Sequence, residues 1–390
     1  MSGTVRVLEG KSGIWCLGPA GTALLPTRFA EGGQLTPEGH AEVTRVGITR
    51  KRPARSYSLT VVTATHCNLG CPYCFQNTGQ AAPGRFDPPR IPKFALDSGT
   101  IERIAGFAEP RMRAAGLSRL FVLLFGGEPL LNPRACRELL LRLGELAPVG
   151  ASMVTNGVLL RATLARQLYD AGLRSAQITL DGPPELHDRL RATRAGRGTF
   201  DRIVDNIAEA QQVTDLRFDF RINTTPDALP GLKDLIGLLA TRVDASRCGL
   251  HLAPVLNYAG GFDAVIDRSS SDVATLLGAY ATALDAGFQV GRPSGASCGF
   301  CGERDGVTGA VVNADGTLYS CWETIGKPGY EVGTIDSGYT DYDPRLWVSC
   351  AEFAVREAPE TVWRAFDDAL TVGLLELLRS RRRMTAKASA

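Results

Sequence analysis

The feature that most constrains the fold of this chain is an alternation of short apolar runs with longer amphipathic ones, which extends from Tyr57 to residue 256. The apolar runs have the length of β-strands and lie at 58–65, 119–126, 150–156, 175–182, 217–225 and 249–256. The segments between them carry apolar residues near helical spacing. This alternation is typical of repeated βα units around a parallel sheet. We therefore predict an α/β fold with a partial (β/α)6 barrel, in which reactive side chains gather at the carboxyl ends of the strands.

The residues on either side of this repeat differ from it in composition, which predicts five segments in a chain of 390 residues. In chain order they are an N-terminal extension (1–56), the partial barrel (57–256), a connecting segment with a helix (257–290), a small cysteine-rich domain (291–355) and a C-terminal helix with a basic tail (356–390). Further helices are predicted near "TPEGHAEVTRVG", at 271–287 and at 359–383. In the cysteine-rich domain, "GAVVNADGTLYSC" predicts a β-hairpin that turns at Asp315 and Gly316.

The charge balance argues against two classes of partner. The chain has 43 Lys and Arg residues against 41 Asp and Glu, a net charge of +2, which is too small to indicate nucleic acid or a membrane surface. The basic end, "RSRRRMTAKASA", is expected to be solvated. The N-terminus lacks the order of a secretory signal, and the early apolar stretch "GIWCLGPAGTALL" is too short to span a bilayer. We therefore expect a cytoplasmic protein.

The ten cysteines are clustered, which indicates metal ligands rather than disulfides in a protein of the reducing cytosol. Cys67, Cys71 and Cys74 follow the first predicted strand in "CNLGCPYC". Structural zinc requires four ligands, and the C-x3-C-x2-C spacing has no second pair nearby. An iron–sulfur cluster suits three thiolates better, because successive thiolates can bind different irons of one cubane. The fourth iron would then stay open to a substrate or cofactor.

Four motifs in order resemble those of the radical S-adenosylmethionine (SAM) enzymes. The motifs are "CNLGCPYC" after the first strand, "FGGEP" (125–129) after the second, "TNG" (155–157) after the third, and "ITLDGPPELHDRLRATRAGRGTFDRI" at the fourth. The last segment is similar to the members that carry a C-terminal SPASM or twitch extension, in particular to those that modify ribosomally synthesised peptides. The resemblance covers residues 57–355.

The resemblance implies a role for each motif. Cys67, Cys71 and Cys74 would hold a 4Fe-4S cluster whose open iron binds SAM, and reductive cleavage of SAM would give a 5'-deoxyadenosyl radical that abstracts a hydrogen atom. Tyr73 would lie near the adenine. The other residues implied in SAM binding are Gly126, Gly127 and Glu128 at the methionine ammonium, Thr179 and Asp181 at the ribose or carboxylate, and Arg221 and Asn223 at the same mouth.

A second set of cysteines resembles an auxiliary cluster site of the SPASM or twitch type. Cys301, Gly316 and Cys321 fit the C-x(9-15)-G-x4-C pattern, and Cys298 and Cys350 complete four ligands. No cysteine follows Cys350, so the resemblance implies one auxiliary 4Fe-4S cluster and not two. Zinc remains an alternative for these four ligands.

The remaining cysteines and histidines have plainer interpretations. Cys16 and Cys136 lie in apolar patterns and are expected to be buried structural thiols. Cys248, just before the sixth strand, is a speculative hydrogen-atom donor. His66, His187 and His251 are expected to pack or to lie in the surroundings of a cofactor.

The favoured function is modification of a precursor peptide, with a thioether or carbon–carbon cross-link as the expected product. The resemblance implies an electron donor such as ferredoxin or flavodoxin. Residues 1–56 are short for a leader-binding domain, so a separate leader-peptide recognition protein is a further expected partner. The alternative is a dehydrogenase or epimerase of a small sugar or aminocyclitol. A third hypothesis, a non-catalytic iron–sulfur carrier, is disfavoured because a carrier needs no Gly-Gly-Glu motif.

Overall fold

The computed structural model describes residues 5–50, 53–74, 76, 91–255, 264–295, 306–347 and 360–388, with side chains at 364–382 within the last range. Cys298, Cys301 and Cys350 lie outside the described residues. The predicted auxiliary cluster is therefore represented by Cys321 alone.

The N-terminal residues form a small antiparallel sheet followed by one helix. Its strands pair in chain order and are β1 (Arg6–Gly10), β2 (Gly13–Gly18) and β3 (Gly21–Leu25). A two-stranded ribbon of β4 (Ala30–Glu31) and β5 (Gln34–Leu35) then leads into α1 (Pro37–Arg45). The Thr36 side chain caps this helix by accepting a hydrogen bond from the Gly39 amide, and Pro37 occupies its first turn. The predicted helix at this position is confirmed.

Six parallel strands confirm the predicted βα alternation. They are β6 (Tyr57–Ala64), β7 (Leu120–Gly126), β8 (Val149–Thr155), β9 (Leu173–Leu180), β10 (Arg217–Thr224) and β11 (Cys248–Pro254). Each pairs with its successor, so their order in the sheet is their order in the chain. Seven of the eight β6 residues are buried, as expected for a parallel strand covered on both faces.

Helices connect these strands and cover the sheet. They are α2 (Ser98–Ala114), α3 (Pro133–Gly144), α4 (Ala162–Asp170), α5 (Pro184–Leu190), α6 (Phe200–Val213), α7 (Leu232–Arg242) and α8 (Ser270–Asp285). Their apolar faces and both faces of the strands contribute to one continuous core. In α3, for example, Leu139, Leu140 and Leu143 are fully buried, whereas Leu141 is 42% exposed. This spacing is the helical periodicity on which the prediction was based.

The sheet continues beyond the six strands into the C-terminal part of the chain. Strand β12 (Gly309–Val312) pairs in parallel with β6, and β13 (Thr317–Tyr319) returns antiparallel to it. The turn between them is closed by a hydrogen bond from the Gly316 amide to the Asn313 carbonyl at 2.9 Å, and Gly316 has φ +92°. The predicted hairpin is confirmed. Two further strands, β14 (Glu331–Thr334) and β15 (Gly338–Tyr339), complete a mixed sheet of ten strands.

The last helix, α9 (Glu360–Ala388), joins the two ends of the chain. Glu376 accepts hydrogen bonds from the Ser12 amide at 2.9 Å and from Trp15 Nε1 at 3.0 Å. Arg6 forms an ion pair with Asp367 at 2.6 Å. The helix extends past residue 383, its predicted end, into the basic tail. Among the described helices, none combines the length and the apolar character needed to cross a lipid bilayer.

Candidate active site at the carboxyl ends of the parallel strands

The carboxyl ends of the parallel strands surround a cavity of about 260 Å³. All six strands, or the residues that directly follow them, contribute to its wall. This is the edge at which α/β folds place their chemistry. A second cavity, of about 550 Å³, lies beside the N-terminal sheet and is lined by Thr22, Arg50 and Arg292, but by none of the predicted site residues. The chemistry of the chain is therefore expected at the smaller cavity.

The three clustered cysteines line one wall of this cavity. Cys67, Cys71 and Cys74 lie in the loop that follows β6, and the Cys74 amide donates to the Cys71 carbonyl at 3.3 Å. Burial raises the pKa of the Cys67 thiol to about 12 and also raises the pKa of Cys71. The surrounding protein alone thus favours thiols over thiolates, and a bound metal group would reverse that preference.

The donor set fits a multinuclear cluster better than a single ion. Among the described residues, no three His, Cys, Asp or Glu side chains converge on one point suitable for a metal ion. An iron–sulfur cubane needs no such point, because each thiolate binds a different iron. The three thiols share one wall of the cavity, which is the arrangement that a cluster with three protein ligands requires.

Two glycines allow the end of β7 to pass close to the cysteine loop. The Gly127 amide donates to the Ala64 carbonyl at 3.0 Å, and a Cβ at Gly127 would lie 2.5 Å from the Thr65 carbonyl oxygen. At Gly126 an added Cβ would overlap the Ala64 carbonyl, and φ is +146°. Both positions therefore require glycine. Both residues line the cavity. Contact between their backbone and a SAM ammonium stays a prediction.

Glu128 is placed differently from the expectation. Its side chain is fully buried, does not line the cavity and accepts three hydrogen bonds, from the Leu130 amide at 2.9 Å, Thr155 Oγ1 at 2.7 Å and the Asn156 amide at 2.8 Å. Burial raises the pKa of this carboxyl, and the three donors oppose that shift. The structure therefore does not support a contact between this carboxylate and a methionine ammonium. Glu128 instead joins the end of β7 to the end of β8.

Asp181 likewise lies behind the cavity wall and holds side chains that line it. Tyr73 donates its hydroxyl hydrogen to the Asp181 carboxylate, and Asn223 Nδ2 donates to Asp181 at 3.1 Å. Arg191 pairs with Asp181 at 3.9 Å and donates to the Tyr73 hydroxyl at 2.8 Å. Asp181 is fully buried, whereas Tyr73, Arg191 and Asn223 reach the cavity. Direct contact between Asp181 and SAM is therefore not supported, and its role is to orient the three lining side chains.

Of the remaining predicted contacts, Thr179 on β9 and Arg221 on β10 line the cavity, as the resemblance implied. Arg191 also lines it, although it was not among the predicted site residues. Its side chain is largely buried, and its Nε has no hydrogen-bond partner among the described residues. The arginine was visible in "ELHDRLR", but only the return of the loop after α5 brings it to the cavity.

The loop after α5 also contacts the cysteine loop directly. The Arg194 amide donates to the Asn68 carbonyl at 3.2 Å, and Arg194 Nε donates to the Cys67 carbonyl at 3.0 Å. The Gly70 amide donates in return to the Ala192 carbonyl at 3.3 Å. These contacts join the loop after α5 to the cysteine loop. They depend on backbone geometry, so the sequence contained no pattern from which they could be predicted.

The C-terminal part of the chain supplies a further wall. Trp322 stacks on Phe125, with ring centroids 5.5 Å apart and planes inclined by 18°, and both residues line the cavity together with Glu323. Trp322 and Glu323 follow Cys321, which is fully buried. Sequence reasoning assigned no role to this pair, because the parallel pairing of β12 with β6 is what brings them to the barrel.

The structure does not bring Cys248 to the cavity. Cys248 begins β11, whereas the cavity is lined by Pro254 and Val255 at the other end of that strand. The thiol is fully buried and accepts a hydrogen bond from Gln211 Nε2 at 3.3 Å. It therefore cannot give a hydrogen atom to a substrate in the cavity.

Cys16, Cys136 and His187 agree with their plainer interpretations. Cys16 and Cys136 are fully buried, as expected. His187 is also buried, and its Nε2 lies 3.1 Å from Thr199 Oγ1. Burial and the nearby Arg191 lower the pKa of His187 to about 3, so the ring is neutral.

Comparisons with known proteins give a family match for part of the chain and a shared fold. Residues 61–220 match the model of the radical SAM superfamily. Among curated proteins, a GTP 3',8-cyclase of Trichormus variabilis is 37% identical over 126 residues, which are 31% of this chain and 36% of that protein. An AdoMet-dependent heme synthase of Methanosarcina barkeri is 29% identical over 161 residues, 41% of this chain and 39% of that protein. For the first three curated relatives, the part that this chain matches is between about a third and just over half of the relative's own length.

The fold is similar to that of solved enzymes along nearly their whole length. Native anSMEcpe with bound AdoMet superposes with a TM-score of 0.64 at 16% identity, covering 83% of this chain and 98% of that one. The same protein with AdoMet and a Cp18Cys peptide gives a TM-score of 0.63 at 15% identity, covering 84% and 99%. Residues 61–220 thus match the radical SAM superfamily, and the solved structures show that this chain shares their fold.

Proposed function

We propose that this chain is a radical SAM enzyme that binds a 4Fe-4S cluster through Cys67, Cys71 and Cys74 and modifies a peptide. The family implies a 4Fe-4S cluster and SAM. The observation that carries the proposal is the placement of three cysteine thiols on one wall of a cavity at the carboxyl ends of the strands. When bound, the cluster and SAM supply reductive cleavage of SAM and hydrogen-atom abstraction from an unreactive C–H bond.

The residues of the cavity suit a zwitterionic ligand. Arg191 is fixed by Tyr73 and Asp181, and its Nε has no partner within the described part of the chain, which leaves it able to donate to a carboxylate. Gly126 and Gly127 expose backbone on another part of the wall, where carbonyl oxygens could accept from an ammonium. Thr179, Arg221 and Asn223 would bind the rest of SAM.

A peptide is the favoured substrate, and a thioether or carbon–carbon cross-link is the favoured product. The fourth motif resembles that of peptide modifiers, and a solved enzyme of the same fold holds AdoMet together with a peptide. Phe125 and Trp322 give the cavity an aromatic wall against which an apolar side chain could pack. A precursor peptide, an electron donor such as ferredoxin or flavodoxin, and a separate leader-recognition protein are the proposed partners.

A small-molecule substrate is the second candidate, and the sequence relatives favour it. The relative with 37% identity is a GTP 3',8-cyclase, and another is an AdoMet-dependent heme synthase. In this alternative, the chain is a dehydrogenase or epimerase of a small sugar or aminocyclitol, as stated for the sequence.

Mass spectrometry of candidate substrates separates the two. Anaerobically reconstituted protein with dithionite and SAM should lower the mass of a cognate peptide by about two units if a cross-link forms. An unchanged mass with one deuterium gained from solvent would indicate epimerisation. If neighbouring-gene peptides stay unchanged while a sugar or aminocyclitol is converted, the peptide proposal is wrong.

Metal analysis tests the proposed auxiliary cluster. Reconstituted protein should contain about eight iron and eight sulfide per chain if Cys298, Cys301, Cys321 and Cys350 hold a second 4Fe-4S cluster. A value of about four, unchanged in a Cys321→Ala variant, would leave only the SAM-binding cluster. Zinc in place of the extra iron would favour the zinc alternative.

A further inference from the structure

The second and third motifs form one hydrogen-bonded unit beneath the cysteine loop. Glu128, the last residue of the Gly-Gly-Glu motif, accepts hydrogen bonds from Thr155 Oγ1 at 2.7 Å and from the Asn156 amide at 2.8 Å. Both donors belong to the "TNG" motif at the end of β8. A fully buried carboxylate with three donors leaves β8 little freedom at this point. The position of the Asn156 backbone is therefore set by Glu128.

The side chain of Asn156 is fixed as well. Its Oδ1 accepts from the Val158 amide at 3.0 Å, and its Nδ2 donates to Asn68 Oδ1 at 2.8 Å. A flipped amide would place its oxygen against Asn68 Oδ1 and its NH2 group against the Val158 N–H, so the orientation is determined. The residue is only 5% exposed, which keeps water from competing for these bonds.

The same Nδ2 points at a thiol of the cysteine loop. It lies 3.8 Å from Cys67 Sγ, and the Leu69 amide donates to that sulfur at 3.4 Å. An amide N–H directed at a ligating sulfur stabilises negative charge there. Reduction adds an electron to a cluster, so such a donor favours the reduced form.

We propose that Asn156 is a positioning residue for Cys67, and that its amide N–H raises the reduction potential of the cluster which that thiolate holds. The inference rests on the proposed function, because it requires that Cys67 ligate a 4Fe-4S cluster. In this view the "TNG" motif acts on the cluster and the Gly-Gly-Glu carboxylate acts through "TNG". The Gly-Gly-Glu motif then acts on the cysteine motif, in addition to any contact that its glycines make with SAM.

The test is a redox titration monitored by electron paramagnetic resonance on the full reconstituted chain. The signal that changes on addition of SAM identifies the cluster at Cys67. Asn156→Asp preserves the shape of the side chain and the acceptor for the Val158 amide but removes the N–H donor. At the potential at which half of the wild-type cluster is reduced, its reduced-to-oxidised ratio should fall at least about tenfold, a shift of about 59 mV for a one-electron couple.

Two further variants separate the lost donor from other effects. Asn156→Ser adds no charge and is too short to reach the sulfur, so its ratio should fall in the same direction by about threefold. Asn206→Asp is the matched control, because Asn206 Nδ2 supports the same turn through the Gly157 and Val158 carbonyls at 2.9 and 3.0 Å. It should leave the potential at the wild-type value.

Each outcome decides between the two claims. A wild-type chain that assembles no cluster contradicts the proposed function itself. A cluster whose potential is the same in wild type, Asn156→Asp and Asn156→Ser overturns the inference while leaving the proposed function in place. If the Asn156 variants fold but retain less iron than Asn206→Asp, the positioning role is supported. Equal iron loss in Asn156→Asp, Asn156→Ser and Asn206→Asp would show that Asn156 only forms the turn, and would overturn the positioning role.

Discussion

At the scale of single residues, Gly127 controls how closely β7 approaches the cysteine loop. A Cβ there would lie 2.5 to 2.7 Å from backbone atoms of Thr65 and His66, which no side-chain rotation can relieve. We expect Gly127→Ala to displace the cysteine loop and to lose most of the iron on reconstitution, measured by iron content per chain. Gly144→Ala is the control, because its Cβ would meet no atom of the described chain within 4 Å. Equal iron content in the two variants would contradict this role.

His187 makes stability depend on pH in a defined direction. Burial lowers its pKa to about 3 in the folded chain, against 6.5 when it is exposed. Below about pH 6.5 the unfolded chain binds a proton that the folded chain does not, so stability falls as the pH drops toward 3, by up to about 1.4 kcal/mol per pH unit. Urea unfolding at pH 7.5 and 5.5 should show this loss in wild type and a smaller one in His187→Gln. The exposed His40→Gln variant should behave as wild type.

At this scale the identity of the reactive residues was predictable from the sequence. The function of the carboxylates that hold neighbouring residues in place was not. The spacing of Cys67, Cys71 and Cys74 predicted an iron–sulfur cluster, and the structure places the three residues on one wall of the cavity. Glu128 and Asp181 were expected to touch SAM, yet both are fully buried and bind neighbouring side chains. A motif identifies such a carboxylate but does not tell which way it faces, because that depends on partners from other strands.

At the scale of elements, the core faces of the helices carry the stability of the barrel. Leu139 of α3 is fully buried in the main core, whereas Leu141 on the same helix is 42% exposed. Leu139→Ala should lower the free energy of unfolding by about 2–5 kcal/mol, because it removes buried methyl groups and leaves a cavity. Leu141→Ala should cost less than about 0.5 kcal/mol. The measurement is chemical denaturation of each variant, and similar losses would contradict the assigned helix face.

Strand and helix positions were predictable where local periodicity is strong. The six parallel strands lie within two residues of their predicted ranges. The parallel pairing of β12 with β6 was not predictable, because it depends on a contact between residues about 250 positions apart, Gly309 and Ser58 among them. Trp322 and Glu323 reach the cavity only through this pairing, which explains why they were missed.

At the scale of the whole molecule, the two ends of the chain are tied together by Glu376. Its carboxylate accepts from Ser12 and Trp15, next to an apolar contact that includes Leu8 and Leu375. Glu376→Ala should leave the Trp15 N–H unpaired at this contact and increase hydrogen exchange in β1 and β2, with little change in the barrel strands. Asp285→Ala, which removes an exposed partner of Arg381, is the control. Unchanged exchange in β1 and β2 would contradict this link.

The central claim is that the loop of Cys67, Cys71 and Cys74 binds the cluster that cleaves SAM, and reductive formation of 5'-deoxyadenosine tests it most directly. Anaerobically reconstituted wild-type chain with dithionite and SAM should release 5'-deoxyadenosine and methionine, measured by mass spectrometry. A chain with Cys67, Cys71 and Cys74 all changed to Ala should release neither, while Cys248→Ala should match wild type. Absence of 5'-deoxyadenosine from iron-loaded wild-type protein, or its release by the triple variant, would contradict the account.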